Sequence, residues 1–298
     1  VDKPAGPTSH DVVAAVRRVW RGARVGHAGT LDPFATGLLL LLLGRATRLA
    51  EYASALDKTY LATVRLGAVS TTDDPEGVLT DSPGFEPPSA GAIDLALARF
   101  VGEVEQVPPA FSAKHVAGER AYRLARRGAA VTLAPRRVRI DRIERLAWEP
   151  PLLTFRAVTG PGVYVRSLAR DLGEALGTGG YLAALRREAV GGFRVETAAP
   201  AGGGEEALAA ALLPPESAVA HLPPARVDAE GAASLLRGAA IPRRAAVVEN
   251  AGASIRAGRA DAARGGRAVR ILGPDGLLGV GRLSADSLSP ARLLDGGA

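Results

Sequence analysis

The sequence predicts an α+β fold, a mixed sheet with helices, followed by a small β-rich unit. Tyr60 to Ala68 alternates: Tyr60, Ala62, Val64, Leu66 and Ala68 face one way, and Leu61, Thr63 and Arg65 the other, as in a half-buried strand. Val12, Val13, Val16, Val19 and Trp20 fall on one helical face, and so do Leu168, Leu172 and Leu176. Strands and helices follow one another without a regular βαβ repeat, which fits an α+β domain around a mixed sheet.

Taken in order, Val1 to Pro4 reads as a strand end entering a turn at Ala5-Gly6-Pro7, with Ser9 as N-cap of the first helix. Leu38 to Leu49 reads as a buried helix. Ser70 to Pro88, rich in turn residues and acids, reads as a long surface loop. Ala92 to Val101 is a helix, Val107 to Gly118 is irregular, and Arg120 to Arg127 is a short basic helix. Val138 to Leu146 and Leu152 to Thr159 are strands, and Val163 to Val165 is a short strand feeding the Leu168 helix. Gly/Pro-rich stretches at Ala199 to Gly204 and Leu213 to Pro224 read as linker. Beyond them come a helix at Ala229 to Leu236 and a hairpin, Val269 to Leu272 and Leu277 to Leu283, about Gly273-Pro274-Asp275-Gly276. The expected domains are 1–198, with an insertion around 107–127, and 225–298, joined by a linker over 199–224.

At 298 residues and 47% hydrophobic, the chain can bury a sizeable core; with aromatics at only 4%, that core must be Leu, Val and Ala. The longest apolar run, Gly37 to Leu43, falls short of the roughly 20 residues a membrane helix needs. The absence of cysteine excludes disulfides and thiolate zinc sites. His10, His27, His115 and His221 have no metal spacing. The chain starts at Val1 without methionine, so a few residues are expected to precede it, and an address there stays open. A net charge of +6, mostly from arginine, permits a nucleic-acid partner, since the guanidinium fork suits phosphate.

The most informative segment is Gly26 to Gly37, GHAGTLDPFATG. Gly26 and Gly29 can take backbone angles closed to other residues, and Pro33 pushes Asp32 out of the helical region. Taken alone, an Asp-Pro pair before an apolar run is also ordinary turn chemistry. Continued into GRATRLAEY at Gly44 to Tyr52, however, the segment resembles the catalytic loop of the TruB-type pseudouridine synthases, which convert a uridine of the tRNA T-loop to pseudouridine. The resemblance covers Val1 to Ala198 and implies a mixed-sheet synthase domain; the C-terminal unit is similar in position and pattern to the PUA-type RNA-binding domain.

The resemblance implies Asp32 as nucleophile, an ionised carboxylate being a sensible one. Tyr60, in DKTY, matches the tyrosine that stacks on the target base. In GVYVRSLARDLG, Gly162 to Gly173, Arg166 is placed in a salt bridge with Asp32 and Tyr164 against the base. Such an arginine would depress the carboxylate's pKa, and a cation at a helix start calls for a specific partner because it opposes the helix dipole. By sequence context Lys3 matches the family's first motif near the site rim, His27 a residue meeting unstacked T-loop bases, Leu185 a leucine packing on the target base, and Asp74 an acid near the RNA. Thr71 replaces an acid frequent in the family, and Phe111 a frequent tyrosine. Arg17, Arg21, Arg24, Arg123, Arg126, Arg127, Arg186 and Arg187 are candidates for the RNA backbone.

The resulting expectation is an enzyme acting on position 55 of tRNA through its T-arm stem-loop, with base flipping. It is expected to be cytoplasmic and monomeric, with no metal, cofactor, membrane or obligate protein partner. The alternatives are a guide-RNA-dependent pseudouridine synthase and a non-catalytic RNA-binding or RNA-folding protein.

Overall fold

The structure is a computed structural model describing residues 1–110, 133–249 and 266–294, together with the backbone alone of 115–116 and 119–120. The chain forms two compact units, neither continuous in sequence. The first comprises Val1–Val12, Thr30–Leu39 and Ala55–Ala201; the second comprises Val13–Gly29, Leu40–Ser54 and Gly202–Ala298. The second unit therefore includes two segments that the sequence reading placed in the first domain. Most of the 107–127 insertion lies outside the described residues.

The first unit is built on a mixed sheet. Its strands are β1 (Asp2–Lys3), β2 (Thr36–Leu38), β3 (Lys58–Leu66), β4 (Gly102–Gln106), β5 (Arg136–Glu149), β6 (Leu152–Thr159), β7 (Gly180–Val190) and β8 (Phe193–Arg194). Their order is β1-β2-β7-β3-β6-β5-β4, with β8 on the far end of β7. Among these strands β2 and β7 pair in parallel, with Thr36 opposite Arg186 and Gly37 opposite Arg187. The alternation read in the sequence holds: Lys58, Tyr60, Ala62, Val64 and Leu66 are buried and their neighbours half-buried. The strand ends one residue pair early, because Gly67 turns at φ +78°; Ala68–Ser70 then pairs with Leu79–Asp81 inside the segment read as a loop.

Two helices supply the rest of this core. Ala90–Ala98 starts at Ser89, whose hydroxyl accepts from the Ala92 amide at 3.2 Å. Val165–Ala175 buries Val165, Leu168, Ala169 and Leu172 against Ala62, Val64, Phe155 and Leu182. Burial of a leucine contributes roughly 2 kcal/mol, so the Leu168–Leu172 face holds this helix to the sheet. Val163 is not in a strand; after the turn at Pro161 and Gly162 it leads through the extended Tyr164 into the helix at Val165.

The expected helix over Leu38–Leu49 is not formed. Gly37 and Gly44 take φ of +102° and +55°, and between them the chain runs through β2 and the strand Leu41–Leu43, then a 3₁₀ turn over Gly44–Leu49 and a helix at Ala50–Ser54. A leucine run has no period of its own, so its glycine boundaries decide.

In the second unit, Leu41–Leu43 pairs antiparallel with Val25–His27. Leu42, Leu49 and Ala53 pack with Val219, Leu222 and Val280 in one cluster. The stretch read as linker is partly ordered, holding the helix Glu205–Ala210 and a 3₁₀ turn at Pro215–Val219. The small β-rich, PUA-like portion is a six-stranded sheet: β9 (Pro224–Val227), β10 (Ile241–Pro242), β11 (Ala246–Val248), β12 (Arg267–Gly273), β13 (Gly276–Leu283) and β14 (Ser287–Leu293), ordered β10-β14-β13-β12-β9-β11. The helix Ala229–Leu236 is present as read, capped by Asp228, which accepts from the Gly231 amide at 2.8 Å.

Candidate active site

Asp32 lies on a loop held from several sides by the chain's first nine residues. The Gly6 amide donates to the Pro33 carbonyl at 2.9 Å. The Lys3 ammonium, fully buried, donates to the same carbonyl at 3.1 Å and to Pro4 at 2.7 Å. The Ser9 hydroxyl accepts from the Leu31 amide at 2.9 Å and donates to the Leu31 carbonyl at 3.0 Å. Both neighbours of Asp32 are thus pinned by buried donors and acceptors. Ser9 is not the helix cap: Thr8 and Asp11 close a reciprocal pair, with the Thr8 amide on Asp11 Oδ2 at 2.8 Å and the Asp11 amide on Thr8 Oγ1 at 3.1 Å. Nor does Lys3 sit at an open rim; its burial and carbonyl partners make it a loop anchor.

Beyond the loop, β2 lies against β7 so closely that a Cβ on Gly37 would meet the Arg187 carbonyl oxygen at 2.3 Å. Arg187, 1% exposed, donates from Nε to the Leu38 carbonyl at 2.7 Å and from Nη1 to the Thr30 carbonyl at 3.4 Å. This corrects its assignment to the RNA backbone, because a guanidinium buried on main-chain carbonyls does not reach phosphate. Of the loop glycines, Gly29 uses positive φ (+96°), whereas Gly26 sits in the Val25–His27 strand without it.

Arg166 is the second residue of the Val165–Ala175 helix and only 5% exposed. Its Nε lies 3.0 Å from Asp32 Oδ2 and its Nη2 donates to Asp32 Oδ1 at 3.2 Å. Its Nη1 donates to Asp74 Oδ2 and to the Thr72 carbonyl, each at 3.1 Å. One guanidinium therefore forks onto the candidate nucleophile and grips a second, buried carboxylate. Asp74 is itself held by the Thr72 hydroxyl and by the Glu76 amide at 3.0 Å. One helical turn on, Arg170 meets Asp73 at 3.0 Å. The TTDDPEG segment thus lies on the helix through two adjacent aspartates and two arginines four residues apart.

The carboxylate of Asp32 keeps 34% of its side-chain surface open, yet it is crowded deeply enough that desolvation pushes its pKa above the ordinary 3.8. Arg166 and Lys3 pull it down and Asp74 pushes it up, but burial is the largest effect. The depressed pKa expected from the sequence is corrected in direction: Arg166 offsets burial without overcoming it. Burial likewise lowers the pKa of Lys3, against Asp32 and Glu76, and burial with the charges of Asp74 and Asp32 raises that of Glu76.

Tyr60, in mid-β3, and Leu185, in β7, are buried in the hydrophobic cluster that also holds Leu31, Ala35 and Val165, which flank Asp32 and Arg166 in the chain. Tyr164 immediately precedes the Val165–Ala175 helix and is half-buried. Asp32, Arg166 and Asp74 are therefore in direct contact, with Tyr60, Leu185 and Tyr164 on the same unit. His27 belongs to the second unit. Arg17, Arg21 and Arg24 are exposed in that unit, Arg17 donating to the Val25 carbonyl at 2.8 Å. Arg186 is half-buried and bidentate to Asp2 at 2.8 and 3.2 Å. Arg123, Arg126, Arg127 and Phe111 lie outside the described residues. Sequence reasoning missed Gln106, Arg136, Glu76 and the loop-holding role of Ser9; only Ser9 had a signal, a polar residue at a helix start.

Comparisons with known proteins identify the family. The model of the TruB family of pseudouridylate synthases, N-terminal domain, matches residues 17–165. A tRNA pseudouridine synthase B of Gloeobacter violaceus is 45% identical over 249 residues, covering 81% of this chain and 85% of its own. Another, of Mycobacterium tuberculosis, is 48% identical over 202 residues, 66% of this chain and 68% of its own. Among solved structures, a chain of a Cbf5–Nop10–Gar1 complex superposes with a TM-score of 0.76 at 26% identity, covering 99% of this chain and 84% of that one. The chain belongs to the TruB family of pseudouridylate synthases.

Proposed function

We propose that this protein isomerises a uridine of tRNA to pseudouridine, at position 55 in the T-loop, with Asp32 as nucleophile. The observation that carries the reading is the Asp32 carboxylate, partly open to solvent, forked onto by a buried arginine. The 45% identity to a tRNA pseudouridine synthase B over most of both chains supports the substrate class.

The reaction breaks the bond between uracil N1 and ribose C1′, turns the base and rejoins it through C5. Substrate and product are isomers, so the chemistry needs a nucleophile, a pocket that retains the detached base, and an acceptor for the C5 proton. Asp32, ionised and held by Arg166, supplies the nucleophile. Tyr60, whose ring lies in the apolar cluster, stacks on the flipped base and assists the later proton transfer; Leu185 and Tyr164 pack on it. His27 meets the unstacked bases of the loop. Asp74 and Lys3 act through their hold on Arg166 and on the Asp32 loop. The exposed Arg17, Arg21 and Arg24, with Arg186 and the insertion arginines Arg123, Arg126 and Arg127, hold the T-arm by its phosphates. The enzyme works in the cytoplasm as a monomer, without guide RNA or cofactor.

The test is the purified chain alone on an unmodified tRNA transcript, with pseudouridine mapped by position. Product at uridine 55 is expected. Binding without product, or product only on adding a guide RNA and partner proteins, contradicts the reading.

A further inference from the structure

Strand β4 ends at Gln106 and β5 begins at Arg136, and the two residues face each other across the ladder. Both turn to Tyr164. The Tyr164 amide donates to Gln106 Oε1 at 2.8 Å, and Gln106 Nε2 donates to the Tyr164 carbonyl at 3.0 Å. Gln106 is 3% exposed. Its amide thus closes a two-bond ring with one residue's main chain, imitating a strand partner, and among side chains only a neutral amide of this length offers both donor and acceptor there. The Arg136 guanidinium lies over the Tyr164 ring, 4.7 Å from its centroid, in a cation–π contact.

These contacts sit at the start of the helix that carries Arg166. Tyr164 is extended (φ −101°, ψ 112°), makes no side-chain cap, and its carbonyl also accepts from the Leu168 amide at 3.1 Å. The residue after Gln106 is bound to the same helix: the Val107 carbonyl accepts from the Ser167 hydroxyl at 2.8 Å and from Arg170 Nη2 at 3.0 Å. Arg166 lies two residues from the clamped peptide and makes the Asp32 contact. A shift of the Tyr164 main chain therefore moves both the ring of Tyr164 and the root of Arg166.

We propose that Gln106 is a positioning residue for this reaction: its amide fixes the main chain of Tyr164 and, with Arg136 over the ring, sets where Tyr164 and Arg166 stand relative to Asp32. The proposal rests on the functional reading above. Misplacement of catalytic groups by about 1 Å is enough to cost about a hundredfold in rate.

The experiment compares wild type, Gln106→Leu and Gln106→Glu on a tRNA T-arm stem-loop, measuring kcat, KM and the hydrogen exchange of the Tyr164 amide. Leucine removes both bonds; glutamate keeps the size and the acceptor but sets an oxygen against the Tyr164 carbonyl. The expected result is a fall in kcat of about 10- to 100-fold with KM little changed, and faster exchange at Tyr164. Wild-type kcat in either folded variant overturns the proposal, and so does a raised KM at unchanged kcat, which would make Gln106 an RNA-binding residue. Should Gln106→Leu not fold, Gln106→Glu carries the same test. Absence of product from wild type removes the functional reading instead; Tyr164 exchange then decides the clamp, and unchanged exchange in the variants overturns it.

Discussion

Arg166 Nε stands 3.0 Å from Asp32 Oδ2, while Nη1 of the same guanidinium stands 3.1 Å from Asp74 Oδ2. The candidate nucleophile is therefore one arm of a three-residue ion network whose other two members are almost fully buried. An isolated arginine buried this deeply at a helix N-terminus would be strongly unfavourable; the two carboxylates make the placement tenable.

Asp74→Asn tests the buried arm. Asparagine can still accept from Thr72 and Glu76, but its amide nitrogen then faces Arg166 Nη1, donor to donor. Breaking a buried pair from one side costs about 3 kcal/mol, so urea denaturation should show a loss of that order, and kcat should fall with it. Wild-type stability would show that Asp74 is not needed to hold Arg166.

The pH dependence follows from the raised pKa of Asp32. The reaction needs the ionised form, so kcat should fall as pH drops through a value above the ordinary 3.8. For stability the sign is the reverse: the fold disfavours the charged form, so this group's favourable contribution is full below 3.8 and is lost as pH rises through its folded pKa. Arg166→Gln removes the opposing cation and should move the acid limb of the rate profile upward. A limb that stays in place would show that Arg166 does not act on the ionisation of Asp32.

Ser9→Ala removes the hydroxyl that satisfies both the amide and the carbonyl of Leu31. Leaving buried main-chain groups unpaired costs about 1–3 kcal/mol, and the freed loop should lower kcat. A thermal melt and a single-turnover assay check this together; an unchanged melt would mean the two bonds contribute little.

Arg187 and the exposed arginines should separate in a salt titration of RNA binding. Arg17→Gln, Arg21→Gln and Arg24→Gln should each weaken binding and reduce the salt slope by about one. Arg187→Gln should leave the slope unchanged and lower the melting temperature, since its donors go to Leu38 and Thr30. A reduced slope for Arg187→Gln would return it to the RNA interface.

The sequence was legible where period and burial agree. The alternation of β3 and the Leu168–Leu172 stripe predict their elements because each buries a single face, and the helix read at Ala229–Leu236 has the same bounds in the structure. The Asp32–Arg166 pair followed from family motifs. What stayed hidden depends on contacts between distant segments. The leucines after Gly37 became strand because Thr36–Leu38 lies against β7 and Leu41–Leu43 pairs with Val25–His27. The pKa direction of Asp32 turned on burial, which no motif reports. Gln106 serves Tyr164, 58 residues on, and nothing in its local sequence announces it.

The most direct test of the central claim is single-turnover pseudouridine formation in a tRNA T-arm stem-loop by wild type and Asp32→Asn, with RNA affinity measured in parallel. Product is expected from wild type only, at comparable affinity. Product from Asp32→Asn at a rate near wild type would contradict that claim.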